Sequence, residues 1–204
     1  MKSITFGSVR IQLLSEEIVR IEYARKGKFC DDNTFFIPSR DKFGEEPQFK
    51  QYGNYIVFGD YSLSVPEGGR GLSGITLTKN GSNVYRYKRL LNSGELPALD
   101  KTPEVFALSD NPRIIVPEGG YSKDRKGQYK VEENVQDIYL LLCKKDAKKL
   151  RKLYVGLTGR NELVRLSTLG GWNSKYYAYT EDEAKQLISD YEKHNVPLDV
   201  MVID

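Results

Sequence analysis

The chain has 204 residues, 39% of them hydrophobic and 29% charged, and carries a net charge of +3. That length holds one large domain, or a domain of about 150 residues with part of a second. With 31 Lys and Arg against 28 Asp and Glu, the charge balance gives no reason to expect a nucleic-acid partner, since such proteins gather basic residues on one face. Cys30 and Cys143 are far apart and follow neither a metal-ligand nor a CxxC spacing, so they read as reduced thiols, with no metal and no cofactor expected. The N-terminus lacks the apolar core of a signal peptide and no window approaches the roughly 18 apolar residues of a membrane span. A cytoplasmic location and no membrane partner are the expectations.

Residues 3–143 carry the signals of a β domain. Short β-branched or aromatic runs at 4–6, 9–13, 18–23, 55–58 and 63–65 are separated by Gly, Asp, Asn and Pro. The clearest hairpin joins 75–79 to 83–87 through Asn80-Gly81, which supplies the two positive φ angles of a type I′ turn. Further strands are expected at 105–108, 113–116 and 137–143. Many short strands with polar turns predict an antiparallel sandwich.

Beyond residue 144 the period changes. Ala147, Leu150, Leu153, Tyr154 and Leu157 fall at helical spacing and Thr158-Gly159 supplies a stop. Residues 165–172 read as a strand. Thr180 and Glu183 form a capping box, and Ala184, Leu187, Ile188 and Tyr191 line one helix face before Pro197 resets the chain. Residues 198–204 then read as an apolar strand buried on both faces. The order strand, helix, strand is one βαβ unit opening a parallel α/β domain. The expected organisation is a sandwich over 1–143, a connecting helix and linker over 144–163, and the first strand-helix-strand of a barrel over 164–204. A doubly buried strand as the final element further suggests a fragment of a longer protein.

Several motifs have ordinary explanations. Gly69, Gly71 and Gly74 satisfy GxGxxG, but a hairpin follows them where a dinucleotide site needs a helix. Lys144, Lys145, Lys148, Lys149, Arg151 and Lys152 form the solvated side of an amphipathic helix. His194, the only histidine, sits in a last helical turn, where it suits the dipole, and no nucleophile neighbours it. The strand ends differ in kind, because parallel α/β folds bind ligands at the carboxyl ends of their strands. Trp172, Tyr176, Tyr177 and Tyr179 crowd the first of these ends and Asp204 closes the second. Aromatic faces with a carboxylate are what a sugar ring requires, although a structural hydrogen bond would equally account for Asp204.

These residues carry a resemblance. Leu157-Thr158-Gly159-Arg160, Leu169-Gly170-Gly171-Trp172-Asn173-Ser174-Lys175-Tyr176, Tyr179-Thr180-Glu181-Asp182-Glu183 and the final Pro197-Leu198-Asp199-Val200-Met201-Val202-Ile203-Asp204 together resemble the start of the catalytic barrel of glycoside hydrolase family 31. Residues 137–140 with the basic helix are similar to the linker entering that barrel, and 105–117 to the last part of its N-terminal sandwich. The resemblance implies a mainly β chain: a galactose-mutarotase-like β-sandwich followed by the truncated start of a (β/α)8 TIM barrel. It implies part of a retaining α-glycosidase acting on α-glucosides or α-xylosides. Both catalytic aspartates would come from later strands, so this chain would contribute no catalytic residue and would need the remainder of the barrel. Asp204 matches the aspartate that holds sugar hydroxyls, and Tyr176 an aromatic wall residue beside Trp172. Lys175-Tyr176 departs from the family's usual aromatic-or-Trp-plus-Arg pair. The alternative is a non-catalytic carbohydrate-binding or scaffolding sandwich, which gives no reason for a capped barrel helix and a doubly buried strand. A basic-helix nucleic-acid binder is more distant still.

Overall fold

A computed structural model describes residues 3–38, 40, 43, 47–68, 71–88, 96–111, 113–115, 130–132 and 135–203. The chain divides into two compact units, Met1–Arg160 and Asn161–Asp204. In the first unit the strands are β1 (Ser3–Phe6), β2 (Val9–Ser15), β3 (Ile18–Ala24), β4 (Lys50–Tyr52), β5 (Tyr55–Phe58), β6 (Tyr61–Ser64), β7 (Thr76–Lys79) and β8 (Ser82–Arg86). They continue with β9 (Phe106–Ser109), β10 (Arg113–Ile115), β11 (Lys130–Glu132) and β12 (Val135–Leu141), before helix α1 (Ala147–Thr158). One five-stranded sheet runs β1-β2-β3-β12-β9 and the other is the meander β4-β5-β6-β7-β8, with every pairing in both antiparallel.

Alternation explains why the two sheets stack. Val9, Ile11 and Leu13 of β2, Val19 and Ile21 of β3 and Ile138 and Leu140 of β12 share one buried cluster with Ile56, Phe58, Leu63 and Leu77 of the meander. Each sheet thus covers the apolar face that the other would leave wet, which makes the molecule mainly β and this unit a sandwich. Asn80 and Gly81 adopt φ of 47° and 81°, the tight turn expected between β7 and β8. The predicted 113–116 strand is β10 as far as Ile115, and Val116 lies outside the described residues, as does Gly69 of the glycine motif. Strands β4 and β11 were not foreseen.

The outer face of the first sheet is covered too. Leu14, Ile18, Tyr139, Leu141 and Cys143 pack with Ile37 and with Leu150 and Leu157 of α1. Asp146 caps α1 by accepting hydrogen bonds from the backbone N–H groups of Lys148 and Lys149 at 2.8 and 3.1 Å. Gly159 closes it with a φ of 93°.

The second unit contains β13 (Trp172–Ser174), α2 (Glu181–Lys193) and β14 (Val200–Val202). β13 and β14 pair in parallel, Trp172 opposite Val200 and Ser174 opposite Val202. The expected strand over 165–172 is corrected: residues Leu166–Leu169 form a 3-10 turn, and the strand starts at Trp172. Local hydrogen bonds account for the difference. Both the backbone N–H and the hydroxyl of Thr168 donate to the Arg165 carbonyl, which closes the chain on itself where a strand would extend it.

Candidate functional site

The second unit is where sequence reasoning placed a sugar site, and its geometry starts from two glycines. The Gly171 N–H donates to Asp199 Oδ2 at 2.9 Å, and the Gly171 carbonyl accepts from the backbone N–H groups of Asp199 and Val200 at 2.9 and 3.1 Å. A Cβ on Gly171 would stand 2.7 Å from the Pro197 carbonyl oxygen, and one on Gly170 2.0 Å from Asp199 Oδ2. Gly171 is therefore required by the close approach of the 197–200 backbone that starts the parallel pairing, and Gly170 leaves room for the Asp199 side chain. Asp199 is a positioning carboxylate that sequence reasoning did not single out.

Beyond β13, the turn over 175–180 is held from both sides. Thr180 and Glu183 form the full capping box, with the Thr180 N–H donating to Glu183 Oε2 at 2.9 Å and the Glu183 N–H to Thr180 Oγ1 at 3.3 Å. The Tyr177 hydroxyl donates to Glu183 Oε1 at 3.1 Å, its ring meets Tyr179 edge-on at 4.8 Å, and the Lys175 ammonium lies 4.9 Å from its centroid. Donation from the Thr180 N–H, from the Thr180 hydroxyl at 2.9 Å and from the Tyr177 hydroxyl holds the Glu183 carboxyl below the usual carboxylate range. On the strand itself, the Asn173 amide donates to the Tyr191 hydroxyl of α2 at 2.8 Å.

Of the predicted site residues, Tyr176 is 95% exposed in the turn that follows the carboxyl end of β13. Trp172 is placed differently from expectation. It opens β13 where the sequence had it ending a strand, is 53% exposed, and donates from Nε1 to the Thr168 carbonyl at 3.1 Å. Trp172 and Tyr176 thus flank the strand at opposite ends. Asp204 lies outside the described residues, two positions beyond the end of β14. His194 closes α2 as the cap residue, its backbone N–H donating to the Asp190 carbonyl. Among the described residues no group of acidic, His or Cys side chains is arranged to hold a metal ion, and no helix is long and apolar enough to cross a membrane.

No family model matches this sequence, and no curated protein matches it significantly. Solved structures do. A dextranase of glycoside hydrolase family 31 from Flavobacterium johnsoniae, complexed with glucose, aligns at a TM-score of 0.62 and 15% identity over 95% of this chain and 30% of its own. A mutant of that dextranase complexed with isomaltotriose aligns with the same values. The fold is like that of a family 31 glycoside hydrolase, at a distant level. The chain spans about 30% of the length of the structures it matches.

Within the sandwich, the structure reveals a charged layer that sequence reasoning missed. Arg10 and Gln12 of β2, Arg20 and Glu22 of β3 and Asp137 of β12 share the sheet face that turns away from the apolar core, yet all five are buried. Arg20 forks onto Asp137 through Nε and Nη2 at 2.9 and 2.8 Å, and also donates to Gln12 Oε1 at 2.7 Å and the Cys30 carbonyl at 2.9 Å. Glu22 accepts from Arg10 and from Arg113 of β10. Burial pushes the Asp137 carboxyl up, but the guanidinium groups of Arg20, Arg40 and Arg113 outweigh it and hold the group below the ordinary aspartate value. The signal available in the sequence was arginine, glutamine and glutamate at every second position of strands whose other residues are apolar. That alternation ordinarily means a wet face. Here residues 30–38, Arg40 and β10 cover it, and the side chains pair to survive burial.

Proposed function

We propose that this chain is the sandwich and the first strand-helix-strand of the barrel of a retaining α-glycosidase, acting on terminal α-glucosides or α-xylosides. The observation that carries the reading is the parallel β13/β14 pair with an aromatic turn beyond its first strand, in a chain whose fold aligns with a family 31 dextranase. In this reading the domains run 1–143, 144–163 and 164–204. Asp204 accepts hydrogen bonds from sugar hydroxyls, and Tyr176 and Trp172 offer aromatic faces to the sugar. Lys175 leaves the aromatic wall to Tyr176 by stacking its charge on Tyr177. Bond cleavage with retention requires two carboxyl groups about 5–5.5 Å apart, contributed by later strands of the barrel. The dextranase structures contain glucose or isomaltotriose, which supports an oligosaccharide substrate for this protein too.

The test is Asp204→Asn in the protein extended through its downstream coding sequence. Loss of charge-assisted acceptance predicts a fall in kcat/KM equivalent to about 2–4 kcal/mol of transition-state stabilisation. Added azide should restore nothing. A change within about threefold, or recovery through a glycosyl azide as for a lost nucleophile, overturns the role given to Asp204.

A further inference from the structure

The aromatic turn after β13 divides its rings between two tasks. Tyr177 and Tyr179 are spent inside the turn: their rings meet edge-on at 4.8 Å, the Tyr179 N–H donates to the Tyr177 carbonyl at 3.0 Å, and the Lys175 ammonium lies 4.9 Å from the Tyr177 centroid. Tyr176, 95% exposed, makes no side-chain hydrogen bond and no ring contact among the described residues. One ring of the turn is held outward and left free.

The turn that carries it is braced. Its ends are fixed by regular structure: Ser174 closes β13 opposite Val202 of β14, and Thr180 is the N-cap of α2. Residues 175–179 run between these points, and Glu183 adds an anchor within that span. Its Oε2 accepts from the Thr180 N–H and hydroxyl, both at 2.9 Å, and its Oε1 accepts from the Tyr177 hydroxyl at 3.1 Å. The capping box requires only the first of these oxygens. The second ties the aromatic turn to the helix, so that only Lys175 and Tyr176 lie between the end of β13 and the anchored Tyr177. Acceptance by Glu183 raises the Tyr177 phenol above its ordinary pKa, which keeps it a donor throughout the neutral range.

We propose that Tyr177 and Glu183 are positioning residues for sugar binding, bracing the turn so that Tyr176 meets the ligand in a preset place. They act only through Tyr176, so the assignment rests on the sugar-facing role proposed for that ring. A turn ordered in advance spares the ligand the entropy of ordering it. The gain is made in ground state and transition state alike, so losing the brace raises KM and leaves kcat unchanged. Loss of folded protein has the opposite signature, a lower apparent kcat at constant KM.

The experiment measures KM and kcat on p-nitrophenyl α-glucoside for the protein extended through its downstream coding sequence, as Tyr177→Phe, Tyr176→Ala and the double variant. Tyr177→Phe keeps the ring and removes only the hydroxyl. It should raise KM by about twofold to tenfold, as for one net hydrogen bond, with kcat unchanged. That rise should vanish in the Tyr176→Ala background, because the hydroxyl acts through the neighbouring ring. In the 204-residue chain, Tyr177→Phe should lower the ¹⁵N order parameters of residues 175–177 while hydrogen exchange across Glu181–Lys193 stays as in the wild type. A smaller change in KM, a change confined to kcat, the same rise in the Tyr176→Ala background, or unaltered order in the turn overturns the proposal and leaves the glycosidase reading standing. A KM that Tyr176→Ala does not move removes the role of that ring and the brace with it. An extended protein that turns over no α-glycoside overturns the glycosidase reading and this assignment together.

Discussion

Removing the Asp137 carboxylate should be among the most damaging single changes in the sandwich. Asp137 and Arg20 are both wholly buried and joined by two hydrogen bonds at 2.9 and 2.8 Å, with Arg113 at 3.6 Å as a further cation. Asp137→Ala leaves Arg20 with Gln12, the Cys30 carbonyl and a longer approach to Glu22 at 3.5 Å. Breaking a buried pair by removing one partner costs about 3–5 kcal/mol, and the surviving acceptors point to the lower half of that range. For a chain of this size the melting temperature should fall by about 6–16 °C. Replacing both partners, as Arg20→Met with Asp137→Leu, should cost less than Asp137→Ala alone because no charge is left stranded. Far-UV circular dichroism in a urea series reads the sandwich, while the single tryptophan, Trp172, reports separately on the second unit. The pair also has a pH signature. The folded pKa of Asp137 lies below its unfolded value, so its contribution is present above the unfolded aspartate pKa of about 3.9 and is lost as pH falls through the folded one. A loss under about 1 kcal/mol for Asp137→Ala, or additive costs in the double variant, would refute the reasoning.

Other expectations follow from the second unit and from α1. Gly171→Ala puts a Cβ 2.7 Å from the Pro197 carbonyl oxygen and should loosen the β13/β14 pair, seen as changed Trp172 fluorescence and faster proteolysis after residue 161 with sandwich unfolding unchanged. Thr180→Ala removes the capping box of α2 and should cost about 0.5–2 kcal/mol of local stability, read by hydrogen exchange across Glu181–Lys193. Leu150→Ala, at the buried contact of α1 with the outer face of the first sheet, should cost about 2–5 kcal/mol in urea unfolding.

Elements fixed by local chemistry were legible in the sequence. The Asn80-Gly81 hairpin, the α2 capping box and the alternating strands β2, β3 and β12 each follow from neighbouring residues. What was not legible depends on distant partners. Arg20 and Asp137 are 117 positions apart, and nothing near either one announces that residues 30–38 and Arg40 will seal them from water. β4, Lys50-Gln51-Tyr52, has no apolar alternation and exists because β5 offers it an edge. In the second unit the apolar residues of 165–172 suggested a strand, but the Thr168 hydrogen bonds and the glycine pair moved its start to Trp172. Trp172 was accordingly expected at the wrong end of the strand, whereas Tyr176 lies past the carboxyl end, in the turn where a ligand-facing residue was sought.

The central claim, that these residues begin a retaining α-glycosidase, is tested most directly by hydrolysis of p-nitrophenyl α-glucoside and α-xyloside. The 204-residue chain should be compared with the protein extended through its downstream coding sequence, following the anomer of the released sugar by NMR. The account predicts turnover only in the extended protein, with the α-anomer formed first. Turnover by the 204-residue chain that scales with purified protein, or a β-anomer as the first product of the extended protein, would contradict it.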